Sequence, residues 1–154
     1  MARIKGLAAK IEAERAEKAF KKMGYAFFKK GDYNLNIIGI RNSSGAPDTF
    51  DDSINLLYKI NGEWVWDTYE ITTEPGPSIL KRPLKSVQDK GTAILVPGQY
   101  RSTYKIGWHG SSSNGHTALC QRGGEVSVWR DNNRDAVPDT HGPEDKGWFG
   151  INIH

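Results

Sequence analysis

The period of hydrophobic and polar positions changes once along the chain, at Gly24. Before it, Ile4, Leu7, Ala8, Ile11, Ala16, Ala19, Phe20 and Met23 recur at helical spacing, and Glu12, Glu14, Glu17 and several lysines fill the other face. The spacing predicts a helix over 3–23. Gly24 is a natural stop for it, with Lys21 and Lys22 in the last turn, where the helix dipole favours cations. The apolar stripe thins around Glu14 and Arg15, so the first half of this helix is expected to project from the body.

Beyond Gly24 the pattern is that of strands and turns. Segments 33–40, 54–60, 63–71, 91–96, 99–108, 116–122, 125–130 and 148–154 read as strands, separated by Gly, Pro, Asn and Ser clusters. Asn61-Gly62 is a strong two-residue hairpin signal, and a turn there sets Tyr58 opposite Val65 and Leu57 opposite Trp66. Both faces of that hairpin are partly apolar, as in a strand pair covered on both sides or lining a ligand groove. A second hairpin is expected across Gly123-Gly124. Residues 74–90, with Pro75, Pro77 and Pro83, form a long irregular excursion. No repeat and no βαβ alternation is present. The expected fold is therefore mainly β with one N-terminal α-helix, the body a mostly antiparallel β-sandwich or barrel-like arrangement. It divides into a basic arm over 1–23 and a β-rich domain over 24–154.

Charge sharpens that division. The net charge of +3 conceals nine Lys/Arg against three Glu in residues 1–30, with the remainder mildly acidic. A basic arm suits nucleic acid or anionic envelope polymers, and the solvated face of a helix is the plainer alternative. No apolar run is long enough for a membrane span, and the basic N-terminus lacks the apolar core of a secretory signal. An extracytoplasmic role would then need release by lysis or delivery in a phage particle. A single cysteine, Cys120, excludes an intramolecular disulfide.

Four constellations could carry chemistry. Asp131, Asn133, Asp135 and Asp139 place oxygen ligands at relative positions 1, 3, 5 and 9 of a calcium-loop pattern, with the Val137 carbonyl available between them. Ala136 stands where such loops carry glycine, and Gly142 where they carry a bidentate glutamate. An Asx-rich turn bonding its own backbone is the alternative. His109, His116 and His141 each sit beside a glycine and lack helical ligand spacing, and His154 ends the final strand. Cys120 lies mid-strand between Leu119 and Gln121, where a small buried residue fits as well as a nucleophile. Trp64, Trp66, Trp108, Trp129 and Trp148 are either core or a face that stacks on sugar rings.

Two runs carry a resemblance. Ala93-Ile94-Leu95-Val96-Pro97-Gly98-Gln99-Tyr100 is similar to an element of YkuD-type L,D-transpeptidase catalytic domains, and Gly150-Ile151-Asn152-Ile153-His154 resembles the strand of that family that ends on its active-site-flanking histidine. Together with Val128–Asn133, these runs also resemble predicted endolysins of phages infecting Bacteroides-like hosts. The resemblance spans about residues 24–154. For a natural chain that continues past His154, it implies thiol-dependent cleavage or exchange of peptidoglycan stem-peptide bonds, with His154 as general base and a downstream cysteine as nucleophile. In that family a Ser/Thr-x-Gly-Cys segment beyond the histidine brings the nucleophile. This chain stops at His154, and Cys120 precedes the histidine, so the nucleophile has no counterpart. The expected function is thus a phage-type, peptidoglycan-active domain without its nucleophile segment. Its location would be the phage particle, or the host cytoplasm with release to the cell wall at lysis. The alternative is a non-catalytic virion structural or glycan-binding module that docks on other virion proteins through helix 3–23. No cofactor is required, and calcium at the acidic loop is the one candidate ion.

Overall fold

The computed structural model describes residues 1–43, 45–83 and 90–153. With 36% strand against 15% helix, the protein is mainly β with an N-terminal helix, and its sheets are antiparallel. Among the described residues the sheets are open and no barrel closes. The chain forms two compact units, Met1–Thr73 and Glu74–His154.

The first unit opens with a strand, not a helix. Residues Ala2–Lys5 form β1, and the helix α1 runs Gly6–Met23. Gly6 has φ of 60°, a left-handed conformation that breaks the helical path and turns the chain back along the sheet. α1 ends as expected. Gly24 is left-handed, its N–H bonds to the Lys21 carbonyl, and the Tyr25 N–H bonds to the Phe20 carbonyl, so the last turn's free acceptors are satisfied. The remaining strands are β2 (Asn36–Ile40), β3 (Asp52–Ile60) and β4 (Glu63–Ile71), giving one sheet in the order β1-β4-β3-β2.

The β3–β4 hairpin has the expected register, Tyr58 against Val65 and Leu57 against Trp66. Asn61 and Gly62 both have positive φ, as a type I′ turn demands, and their N–H groups donate to the Asp32 carboxylate at 2.7 and 2.9 Å. α1 packs along β4. Its first half does not project, because Ala9 is fully buried and Ala13 nearly so, and two small residues one turn apart let the helix approach closely. An edge-to-face contact from Phe20 to Phe27, and a tilted ring contact from Phe27 to Trp64, tie its C-terminal end to the sheet. Buried Asn36 then pins the intervening segment, bonding both the N–H and the carbonyl of Phe28 at 2.8 Å.

In the second unit, Pro77–Leu80 is a single helical turn, α2. The strands are β5 (Thr92–Leu95), β6 (Tyr104–His109), β7 (His116–Gln121), β8 (Val126–Asp131) and β9 (Asp145–Gly147). They form the sheets β5-β8-β9 and β6-β7, around a core of Ile94, Val126, Val128, Ala118 and Cys120. The hairpin expected across Gly123-Gly124 is not formed, since β7 pairs with β6 and β8 with β5. Gly123 is instead pressed on the 102–103 backbone. A Cβ there would fall 1.9 Å from the Ser102 carbonyl oxygen, and both the Arg122 and Gly123 N–H groups donate to Thr103 O. The turn therefore carries the chain from one sheet to the other.

The expected terminal strand is also corrected over 148–153. Ladder pairing stops at Gly147 and resumes only as an isolated bridge between Leu119 and Ile153. Gly150 turns the backbone left-handed between the two, and side chains take over the hydrogen bonding.

Candidate functional site

Gln121, only 6% exposed, organises the terminal segment from the end of β7. Its Oε1 accepts from the N–H groups of Phe149 and Ile151 at 3.1 and 3.2 Å, and its Nε2 donates to the carbonyls of Gly147 and Gly124. The Gln121 N–H in turn donates to Asn152 Oδ1 at 3.0 Å, and Asn152 Nδ2 lies 3.1 Å from His109 Nδ1. When Asn152 donates there, the neutral imidazole carries its proton on Nε2. The His109 and His116 rings meet edge to face, 5.5 Å apart, as a cross-strand pair. His154, the expected base, lies outside the described residues.

Cys120 is 3% exposed, and its thiol contacts the Trp108 and Ala118 carbonyl oxygens at 3.9 Å. A carbonyl oxygen cannot take a proton from a thiol to make a nucleophile. The side chain fills core space.

The opposite face of the β6–β7 hairpin is open. Ile106 is 78% and Trp108 51% exposed, with exposed Thr117 paired across from Trp108. Trp108 is nonetheless fixed. Its indole N–H donates to the Ser111 carbonyl at 3.0 Å, and Gly115 lies so close to the ring that a Cβ there would come 2.2 Å from Nε1. The tip is braced by Ser111 Oγ, which accepts from the Asn114 N–H and meets Ser113 Oγ. Arg122 bonds the Trp108 carbonyl at 2.7 Å. The result is a half-exposed, immobilised indole beside a row of small polar groups.

The acidic loop follows β8. Asp131 is 2% exposed; its Oδ2 accepts from the Asp139 N–H at 3.2 Å, while its Oδ1 is buried without a hydrogen-bond partner. Burial, then the Asp139 and Asp135 carboxylates, push its pKa up, against the Asp139 N–H bond. Asn133 and Asp135 act as Asx turns, accepting from the N–H groups of Asp135 and Val137. The Asn133 amide N–H₂ lies between the other two carboxylates, 3.1 Å from Asp135 and 3.2 Å from Asp139. As they stand, no three His, Cys, Asp or Glu side chains among the described residues are disposed to hold a metal.

One cluster escapes a reading by sequence alone. Asp67 on β4, 1% exposed, receives Arg3 Nε at 2.5 Å, Arg3 Nη2 at 2.8 Å and the Tyr58 hydroxyl at 3.0 Å. The Arg3 hydrogen bonds hold the Asp67 carboxyl below the usual range, and burial with the Asp67 bond raises the Tyr58 phenol. Tyr33, 69% exposed, stacks on Tyr58. Arg3 reaches this site because β1 is a strand, with Arg3 paired directly to Asp67. The alternation Arg3-Ile4-Lys5 is its only local signal, and it is too short to compete with the helical pattern around it.

Among the described residues, no helix is long and apolar enough to cross a membrane. No family model, curated protein or solved structure matches this chain.

Proposed function

We propose that this chain is a non-catalytic binding module for cell-envelope glycan of the peptidoglycan type, with Trp108 as the platform for a sugar ring. The observation that carries this reading is the indole of Trp108, half-exposed yet locked by Ser111 and Gly115. An apolar sugar face and an aromatic face exclude water from each other, and an indole that is already fixed loses little entropy on binding. Ser113, Asn114 and Thr117 supply the polar edge that a sugar's hydroxyls require. Covering roughly 100 Å² of apolar surface contributes about 2.5 kcal/mol. One contact of that size is weak, so tight retention needs a polymer that presents many copies of the sugar. The glycan class and a virion setting are what the resemblance of 93–100 and 150–154 to wall-active phage domains implies. There α1 would be its docking element, with exposed Leu7 and Ile11.

The test is co-sedimentation with purified peptidoglycan sacculi, with cellulose as a second polymer. Trp108→Ala is expected to lower retention on sacculi about tenfold or more, the equivalent of 1.4 kcal/mol. Phe50→Ala, which removes an exposed aromatic from the first unit, is expected to leave retention unchanged. Equal retention of wild type and Trp108→Ala would overturn the reading. Release of muropeptides that a thiol blocker stops would replace it with the peptidase.

A further inference from the structure

We propose that the loop Asp131–Asp139 is a binding site for a hard divalent cation of the calcium type, with the buried Oδ1 of Asp131 as its fixed ligand. Two separate observations meet there. The first is the spacing of four oxygen-bearing side chains, Asp131, Asn133, Asp135 and Asp139, in nine residues. The second is Oδ1 of Asp131, a buried oxygen without a partner. Asp131 is nine-tenths buried and more, and its other oxygen is tied across the loop to the Asp139 N–H. A buried carboxylate oxygen without a donor is costly, and the groups around it are further carboxylates rather than cations.

The route from the present geometry to a coordinated one is short. The Asn133 amide N–H₂ already stands between Asp135 and Asp139, where it partly offsets their repulsion. Turning that amide over would point its carbonyl oxygen at Asp135 and Asp139, and would exchange the Asp135 N–H bond that Asn133 Oδ1 now accepts for a bond to the cation. An all-oxygen set containing three carboxylates suits calcium, which accepts irregular geometry, better than magnesium, which demands an octahedron and holds its water. Gly142 stands where a bidentate glutamate completes tighter loops, so the affinity belongs to the weak class, with Kd about 10⁻⁴–10⁻³ M.

The full chain is dialysed against chelator and its melting followed as Ca²⁺ is added to 10–20 times the upper Kd, about 10–20 mM. The midpoint is expected to rise by several degrees, with a smaller rise for Mg²⁺ at equal ionic strength. Asp131→Asn is expected to remove the calcium-specific rise. Because Asp131 is buried, Asp135→Asn, at the exposed side of the loop, serves as a second variant and should weaken calcium binding at least tenfold by calorimetry. A calcium-insensitive wild type, or a full response retained in both variants, would overturn the site.

Discussion

Asp67 in the first unit and Asp131 in the second are buried to the same degree, yet their carboxylates are satisfied in opposite ways. Asp67 sits on a strand between two neighbours and collects three charge-assisted or phenolic donors, from Arg3 and Tyr58. Asp131 ends its strand, takes one N–H from Asp139 and leaves an oxygen orphaned. The units also differ in where side chains meet the backbone. The first carries its strands in a single four-stranded sheet, and Asp32, Asn36 and Asp52 close the segments around it. The second uses side chains, chiefly Gln121 and Asn152, where its ladders stop. Burial alone therefore says little about a carboxylate's contribution. What decides it is whether donors arrive with it.

Four measurements sharpen or break this contrast. The largest effect is expected from Asp67→Asn, which exchanges a charged acceptor of the Arg3 fork for an amide. The substitution should cost about 2–3 kcal/mol in urea unfolding. A loss below about 0.5 kcal/mol would mean that the half-exposed Arg3 contributes nothing and the contrast is empty. Next is Gln121→Ala, which strands the Phe149 and Ile151 N–H groups. About 1–2 kcal/mol should be lost, and amide exchange over 148–153 should accelerate more than in β8.

pH separates the two aspartates by sign. Asp67 has a depressed pKa, so its stabilisation is complete above the ordinary carboxyl value, near pH 4, and disappears as pH falls through the lower folded value. Asp131 has a raised pKa. Its protonated form is the one favoured by folding, so its contribution is present below about pH 4 and is lost as pH rises through the folded value. Amide exchange should show β4 protection falling on acidification and β8 protection falling as pH rises from 4, after correction for intrinsic rates. Parallel slopes in both strands would contradict the assignment. The smallest effect is expected from Asp131→Asn at neutral pH without divalent cations. Its stability should stay within about 0.5 kcal/mol of wild type or rise, because the substitution removes a charge that burial and two carboxylates oppose.

Legibility in the sequence followed the range of the interactions. The body of α1, its stop at Gly24 and the register set by Asn61-Gly62 are written in adjacent residues, and the structure matches all three. β1 was not legible as a strand because its reason for being one is β4, far along the chain. The hairpin expected at Gly123-Gly124 failed because two glycines mark a turn without saying what lies against them, here the 102–103 backbone. In the candidate site, the Asx character of 131–139 was visible, as was the abundance of tryptophan. Which tryptophan is exposed and clamped was not visible, because that depends on Ser111 and Gly115 closing on Trp108.

The pairing of β1 with β4 also constrains how the chain can be made. Arg3 leaves the ribosome long before Asp67, its partner 64 residues later. During synthesis α1 is able to form at once from local bonds, while Ala2–Lys5 must wait with open N–H and carbonyl groups until β4 has emerged and turned back on β3. The first strand made is thus the last of its sheet to dock. In that interval a short, exposed edge with two cations is safer than a long apolar one, which would template pairing with a neighbouring nascent chain.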